Sequence, residues 1–330
     1  MASMNPRIAI AIGDPNGIGP EIAVKSALAL INERVQPVLV GDQYVLEYYL
    51  SRLAPDIKSA AGSVAPTFSG QPLKTVHCVD VPALAHADFN PGTVSAAAGQ
   101  ATVAYMTKAV AMAQAAEVSA IIGCPHSETA INRAGIPFTG YPGLLAQLTQ
   151  TPADQAFLML VAAGLRIAHV TLHESVQTAL NRMTPELFEA AGLAALEATK
   201  ALGISNPKLG IMGINPHASE GGLFGDEDES VVVPAVRRLQ AKGLDVEGPM
   251  GADLLLANRK HDVYLAPFHD QGHIPVKLLS PLCVSALTIG LPVRFSSVGH
   301  GSAHDIAGKG TADPASVLAA FSLLANGLRR

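Results

Sequence analysis

The sequence predicts an α/β protein in which a mostly parallel sheet is covered by helices. Apolar runs of strand length alternate with helix-like segments along the 330 residues, which is the pattern that parallel strands and crossover helices produce. Hydrophobic residues make up 49% of the chain and charged residues 15%, a composition typical of a globular protein with a large core. The length by itself indicates either two domains or one large α/β unit.

The alternation predicts seven strands and five helices. The strands are expected at residues 7–12, 35–40, 120–122, 166–172, 208–214, 263–268 and 284–289. The helices are expected at residues 21–31, 96–116, 185–202, 230–242 and 314–328. Prolines and mixed polarity make 54–90 and 125–143 the most irregular stretches, and either is a candidate hinge or domain crossing.

Composition and charge exclude several classes of function. The net charge is -5 and no cluster of lysine or arginine occurs, which argues against binding of nucleic acid. No apolar run approaches the roughly 20 residues of a membrane helix, and the start MASMNPRIAIAIG lacks a secretory signal. Cys78, Cys124 and Cys283 fit no metal-binding spacing. We therefore expect a cytoplasmic protein with reduced thiols and no membrane partner.

The segment GDPNGIGPE at 13–21 raises the question of nucleotide binding. A dinucleotide fingerprint requires a third glycine where Ile22 stands, and a phosphate loop requires a glycine where Val24 stands. Pro20 and Glu21 suit the first turn of a helix. Taken alone, this spacing favours a simple turn from strand to helix.

Four histidines follow predicted strands, namely His126, His173, His217 and His269. Open α/β sheets bind ligands beyond the carboxyl ends of their strands, so the recurrence indicates a shared metal or acid–base site. Imidazole suits Zn²⁺, and three protein ligands leave one position open for substrate. Asp270, next to His269, is a candidate to orient a ligand.

The segment HDQGHIPVK at 269–277 adds His273 and Lys277 to the same region. A lysine beside a metal can bind a carboxylate or transfer a proton. The acidic run at 226–229 is interpreted as the start of the next helix rather than as a calcium loop, because negative charge is favourable there.

Two motifs at opposite ends of the chain resemble one superfamily. HGSAHDIAGKGTADP at 300–314 resembles the adenosine-binding loop of isopropylmalate and isocitrate dehydrogenases, and GDPNGIGPE resembles their N-terminal loop. Those enzymes bind the nucleotide along backbone from separated loops, so the missing third glycine does not argue against NAD. The resemblance implies a two-domain α/β/α fold with the active site in the interdomain cleft. It assigns cofactor binding to Gly13, Gly17, His300, Gly301, Ser302, Ala303, Asp305 and Asp313.

The wider set of motifs is similar to the 4-hydroxythreonine-4-phosphate dehydrogenase family of metal-dependent decarboxylating dehydrogenases. The motifs include AGIPFTG, VTLHESV, GINPHASEGG and HDQGHIPVK. The resemblance implies NAD, a divalent metal with Zn²⁺ the first choice, and a homodimer with its metal site at the interface. It implies a cofactor-binding domain of residues 1–125 plus 275–330 and a metal-binding, dimerisation domain of 126–274. The implied metal ligands are His173, His217 and His269, and the substrate-binding lysine is Lys277.

Three departures from the family pattern concern phosphate binding. Where the family has His-Thr, this chain has Tyr141 and Pro142; a family Asn falls on Ala286 and a family Arg on Phe295. The chain looks most like the branch that oxidises the terephthalate cis-dihydrodiol, 1,2-dihydroxy-3,5-cyclohexadiene-1,4-dicarboxylate, to protocatechuate and CO₂.

This resemblance predicts an NAD-linked enzyme acting on a small dicarboxylate. His126, Tyr141 and Arg294 are the candidates for the ring and the distal carboxylate, and Asp270 and Asp253 are candidate general bases. Dehydrogenation of 4-phosphohydroxythreonine or threonate 4-phosphate is the alternative, and a zinc hydrolase or lyase is a more distant one. In the isopropylmalate dehydrogenases an aspartate at the position of Asp305 accepts hydrogen bonds from the adenosine ribose, so we expect NAD rather than NADP.

Overall fold

A computed structural model describes residues 6–61, 75–281 and 283–328. The chain forms two compact units, the first made of residues 1–144 and 292–330 and the second of residues 145–291. The domain limits expected from the sequence, after residues 125 and 274, lie earlier along the chain than the limits of these units, after residues 144 and 291. None of the helices within the described ranges is both long and apolar enough to cross a membrane.

The described part of the first unit begins with five strands and the helices between them. Their order is β1 (Arg7–Ala11), α1 (Gly19–Ala29), β2 (Gln36–Gly41), α2 (Gln43–Leu53), β3 (Lys58–Ala61), β4 (Thr75–Asp80), α3 (Ala96–Gln114), β5 (Ala120–Gly123), α4 (Glu128–Arg133) and α5 (Tyr141–Thr149). Ser95 accepts a hydrogen bond from the N–H of Ala98 and so caps the start of α3. The helix α5 begins in the first unit and ends in the second.

Among the residues that the structure describes, the second unit contains six strands, and the chain then returns to the first unit for the last described strand and helix. The order continues with β6 (Phe157–Ala162), β7 (Leu165–His169), α6 (Val176–Arg182), α7 (Pro185–Ala201), β8 (Leu209–Met212), α8 (Val233–Ala241), β9 (Val246–Met250), α9 (Ala252–Asn258), β10 (Val263–Ala266), α10 (His269–Leu279), β11 (Ser285–Ile289), β12 (Phe295–Val298) and α11 (Ala315–Asn326).

The strands of the first unit form a parallel arrangement in the order β3-β4-β2-β1-β5-β12. Every residue of β1 and β2 is buried, which explains why these strands appear in the sequence as continuous apolar runs rather than as alternating ones. The predicted α/β class is confirmed.

The strands of the second unit follow the order β11-β6-β7-β10-β8-β9. Pairs from β7 to β9 are parallel, whereas β11-β6 and β6-β7 are antiparallel. The tight connection between β6 and β7 consists of Ala163 and Gly164, both with positive φ, of 48° and 80°, as a two-residue hairpin turn requires. The sequence did not predict β6, because a short apolar run does not by itself distinguish a strand from a buried helix.

The irregular stretches expected at 54–90 and 125–143 contain regular structure. The strands β3 and β4 fall in the first stretch, and α4 and the start of α5 fall in the second. The strand β3 lies at the sheet edge and residues 58–60 are not buried, so it lacks the apolar pattern on which the prediction depended. Residues 62–74 lie outside the described ranges.

Candidate functional site

The four histidines singled out in the sequence all follow the carboxyl ends of strands. His126 follows β5, His173 follows β7, His217 follows β8 and His269 follows β10. His126 belongs to the first unit and the other three belong to the second. The candidate metal ligands are therefore all on one unit.

Four imidazoles form a cluster beside β7 and α10. The ring of His269 stacks on that of His273, with centroids 3.6 Å apart and planes at 13°, and lies 5.4 Å from the ring of His173. The fully buried His169 donates from Nδ1 to the carbonyl of Leu158 at 3.1 Å, and its Nε2 lies 3.2 Å from Nδ1 of His273. Burial lowers the pKa of His169 to about 3 and that of His273 to about 4, so both rings are neutral at pH 7.

The rings of His173 and His269 are about as far apart as two imidazoles bound to one divalent ion would be. Two imidazoles bound to a tetrahedral ion at 2.0–2.1 Å have ring centroids about 5.2 Å apart, and the separation here is 5.4 Å. Nδ1 of His269 donates to the carboxylate of Asp270 at 2.8 Å, which leaves the lone pair of Nε2 for a metal. Both histidines line a cavity of about 330 Å³.

His217 lines a different cavity of the second unit, of about 440 Å³, together with Gly251, Asp253 and Gln271. The described part of the chain contains no group of three or more His, Cys, Asp and Glu side chains that could hold a metal ion. The resemblance predicts that the metal site lies at the interface of a homodimer.

The other predicted polar residues lie on the helices around these cavities. The side chain of Asp270 is 79% exposed, and Asp253 lies in the first turn of α9 beside His217. Lys277 follows His273 by one turn on the same face of α10, and its charge contributes to the low pKa of His273. A cation thus lies next to the histidine cluster.

The glycine-rich segments from the two ends of the chain meet in the first unit. The N–H of Ile18 donates to the carbonyl of Ser302 at 2.9 Å, and a Cβ on Gly17 would lie 2.8 Å from the Cβ of Ser302. Only glycine allows this approach of the two backbones. Nε2 of His304 lies 3.2 Å from the buried carboxylate of Asp14, and burial raises the pKa of Asp14.

A buried carboxylate clamps the later of these segments. Glu21 is fully buried and accepts hydrogen bonds from the N–H groups of Gly310, at 3.1 Å, and Ala312, at 2.8 Å. Nζ of Lys25 donates to Glu21 at 2.9 Å and to the carbonyls of Gly310 and Ala312 at 2.9 and 2.7 Å. Sequence reasoning related Glu21 only to the helix dipole and missed this clamp, although an acid and a lysine four residues apart on a buried helix were a usable signal.

The residues expected to bind the cofactor lie in these segments of the first unit. Gly13 has a φ of +72°, and the buried hydroxyl of Ser302 has no hydrogen-bond partner among the described residues. Asp305 is exposed and accepts no hydrogen bond within the described ranges, whereas Asp313 accepts one from the N–H of Ala315 at 2.9 Å. Asp313 therefore closes a turn just before α11. The later segment also contains His300, Gly301 and Ala303.

An aromatic cluster surrounds His126 in the first unit. The ring of Tyr141 lies 4.5 Å from His126 and 4.9 Å from Phe295, and Phe138 lies 4.9 Å from His126. Tyr141 is 4% exposed and Phe295 1%, and the hydroxyl of Tyr141 donates to the carbonyl of Cys124 at 3.1 Å. Burial lowers the pKa of His126 to about 4. Tyr141, which departs from the family pattern, thus packs against a neutral imidazole, and Phe295, which also departs from it, packs against Tyr141.

Arg294, the other candidate for the distal carboxylate, has an exposed side chain. Its neighbour Phe295 begins β12 and is buried against Tyr141. Adjacent residues of an extended chain point to opposite faces, so this geometry favours His126 over Arg294 as the polar group beside the aromatic cluster.

Comparison with known proteins defines the class of this fold and site. The family model described as pyridoxal phosphate biosynthetic protein PdxA matches residues 33–324. A 1,2-dihydroxy-3,5-cyclohexadiene-1,4-dicarboxylate dehydrogenase from Comamonas sp is 49% identical, with 98% of each chain covered. A D-threonate 4-phosphate dehydrogenase from Cupriavidus necator is 40% identical, with 97% of each covered. The structure of a 4-hydroxythreonine-4-phosphate dehydrogenase from Klebsiella pneumoniae is 34% identical, has a TM-score of 0.86, and covers 98% of this chain and 100% of its own.

These relatives, which share the mixed α/β architecture, indicate that the chain is a dehydrogenase. More particularly, the chain belongs to the PdxA family, as the resemblance of its motifs predicted.

Proposed function

We propose that the protein catalyses the NAD-linked oxidative decarboxylation of the terephthalate cis-dihydrodiol, 1,2-dihydroxy-3,5-cyclohexadiene-1,4-dicarboxylate, to protocatechuate and CO₂. The observation that carries this proposal is the burial of Tyr141 and Phe295 in one aromatic cluster. The family resemblance puts polar phosphate-binding residues at both positions. The name of the Comamonas relative supports the same substrate.

The proposed reaction removes two hydrogens and one carboxyl group. The hydroxyl-bearing carbon next to the carboxylated carbon would lose a hydride, for which bound NAD would be the acceptor, while the hydroxyl loses its proton. The product is a β-keto acid. Loss of CO₂ then gives an enol whose ring is already aromatic, so the second step is strongly downhill.

In this proposal His173 and His269 hold a divalent cation, with Zn²⁺ the first choice, and a second copy of the chain provides His217. The bound ion supplies Lewis-acid polarisation of the oxygen at which negative charge develops. The helix α10 that carries His269 also exposes Ile274, Leu278 and Leu279, by 54%, 78% and 48%. Exposed apolar side chains so close together are typical of a protein interface, which supports a homodimer built on this face.

The remaining polar residues provide contacts to the substrate carboxylates. Lys277 binds the carboxylate that is lost or transfers a proton near it, since its charge lies beside the histidine cluster. His126 is neutral at pH 7 and makes no hydrogen bond to the described residues, so its N–H is available to the distal carboxylate. A phosphate would lack the donors that the family resemblance puts at the positions of Tyr141 and Phe295. Burying its charge unpaired is costly.

Side-by-side kinetics test the proposal through the absorbance of NADH with added Zn²⁺. We expect a higher kcat/KM for the terephthalate dihydrodiol than for D-threonate 4-phosphate or 4-phosphohydroxythreonine, with CO₂ released in step with NADH. The double variant Tyr141→His, Pro142→Thr should gain activity toward the phosphorylated substrates. A higher kcat/KM of the wild type for either phosphorylated substrate would overturn the proposal and favour the activity of the Cupriavidus relative.

A further inference from the structure

The backbone that carries His217 is strained. Residues 217–221, called here the left-handed turn, all have positive φ, with values of 53°, 52°, 65°, 42° and 66°. Only the last of the five is glycine, and L-amino acids disfavour this region because Cβ approaches the carbonyl oxygen. A run of this kind persists only where surrounding contacts hold it.

One carboxylate accepts three hydrogen bonds from this part of the chain, one of them from the left-handed turn itself. Asp228 is 1% exposed; its Oδ1 accepts from the N–H of Ile214 at 2.8 Å, and its Oδ2 accepts from the N–H of Asn215 at 3.0 Å. The hydroxyl of Ser219 also donates to Oδ2, at 2.8 Å. His217 lies between Asn215 and Ser219, so Asp228 fixes the chain on both sides of it.

Two further features leave the left-handed turn little room to relax. Nδ2 of Asn215 donates to the carboxylate of Glu227 at 2.6 Å and to the hydroxyl of Ser219 at 3.2 Å. A Cβ on Gly213 would lie 2.8 Å from the Cα of Ala218. The turn is therefore packed against the end of β8 as well as hydrogen-bonded to Asp228.

We propose that Asp228 is a positioning residue for metal binding: it holds the left-handed turn in the conformation that presents His217 as a ligand. Asp228 is not among the residues that line the cavity of His217, so it acts through the turn and not by contact with the ion. This inference rests on the proposed function for the role of His217 itself.

The test measures Zn²⁺ affinity of the purified full-length protein by competition with a chelating dye. Asp228→Asn places an NH₂ group against at least one of the three donors, so it breaks the clamp at nearly constant volume. The matched control is Glu229→Gln, which removes the same charge one residue later from an exposed position. We expect Asp228→Asn to bind Zn²⁺ at least about tenfold more weakly than Glu229→Gln, the range seen when a residue supporting a metal ligand is replaced.

A double-mutant cycle distinguishes positioning from a general loss of structure. If Asp228 acts through His217, the double variant Asp228→Asn, His217→Ala should bind Zn²⁺ no more weakly than His217→Ala alone. Ser219→Ala removes a single hydrogen bond to Asp228 and is a milder variant. We expect it to lose Zn²⁺ affinity as well, but less than Asp228→Asn does. NAD affinity should be unchanged in all of them, because the cofactor segments belong to the first unit.

Each outcome has a defined meaning. Equal Zn²⁺ affinity of Asp228→Asn and Glu229→Gln, or additive losses in the double variant, would overturn the positioning role while leaving the proposed function intact. Absence of Zn²⁺ binding by the wild-type protein would overturn both the proposed metal site and this inference. A weaker affinity that is also non-additive with His217→Ala supports the role.

Discussion

Replacing Glu21 with glutamine tests whether the clamp between the two ends of the chain stabilises the first unit. The carboxylate accepts hydrogen bonds from Gly310, Ala312 and Lys25. Glutamine keeps one carbonyl oxygen but turns an NH₂ group toward at least one of these donors. The variant therefore loses one charged hydrogen bond and the ion pair with Lys25.

The expected loss of stability follows from these contacts. Breaking a buried ion pair by removing one partner costs roughly 3–5 kcal/mol, because a charge is left without its partner. The side chain of Lys25 is 21% exposed and keeps two carbonyl partners, so we expect about 3 kcal/mol, the lower end of that range. For a unit of 150–250 residues, 1 kcal/mol corresponds to roughly 2–4 °C in Tm, which gives a decrease of about 6–12 °C.

Circular dichroism during heating, with and without NAD, measures this effect. The matched control is Glu117→Gln, an exposed position in the same unit, which should leave Tm nearly unchanged. Weaker stabilisation of Glu21→Gln by NAD is also expected, because residues 310–312 continue the segment that the resemblance assigns to adenosine. A Tm equal to that of the control would refute the clamp.

Three further predictions concern the first unit. Asp305→Ala should narrow the preference for NAD over NADP, because an exposed carboxylate at this position repels a 2′-phosphate; an unchanged ratio of the two kcat/KM values would count against the role. Burial lowers the pKa of His126 to about 4 from its ordinary 6.5, so the unfolded state binds the extra proton and the free energy of unfolding should fall as pH decreases from 6.5 to 4. This pH dependence of the free energy of unfolding, up to about 1.4 kcal/mol per pH unit, should be weaker in His126→Gln. Urea unfolding at several pH values measures it, and an equal pH dependence in the two proteins would contradict the prediction. Tyr141→Phe should cost about 1 kcal/mol through loss of its bond to the carbonyl of Cys124, and chemical denaturation would reveal a smaller change if that bond were absent in solution.

The sequence predicted those elements whose signal is local. The strand β1 is buried throughout, and α7 starts with Thr184 as a cap and Pro185 at its first position, so periodicity and capping were enough. The hairpin of β6 and β7 was missed because its turn is Ala163-Gly164 rather than a pair with a strong turn signal. The edge strand β3 was missed for lack of an apolar pattern.

The candidate site was predictable only in part, because much of it depends on contacts distant in sequence. The position of each candidate histidine after a strand follows from the βα alternation alone. Which imidazoles meet does not: His269 stacks on His273 and lies near His173, while His217 lines another cavity. Likewise, the substitution at Tyr141 is visible in the sequence, but its burial beside His126 depends on packing.

The two buried carboxylates, Glu21 and Asp228, show the same physical arrangement in different units. Each lies at the start of a helical segment, where the helix dipole favours negative charge. Each also accepts hydrogen bonds from two backbone N–H groups of a glycine-rich segment that carries candidate site residues. Burying a carboxylate is unfavourable unless such donors satisfy it. Movement of the segment would remove these donors from the buried acid and is therefore unfavourable. Both segments are thereby held by residues that need not touch a ligand, and an amide at either position should weaken ligand binding through the loop. For an exposed acid such as Asp305 we predict direct contact with the cofactor instead, so its replacement should change cofactor selectivity without changing stability.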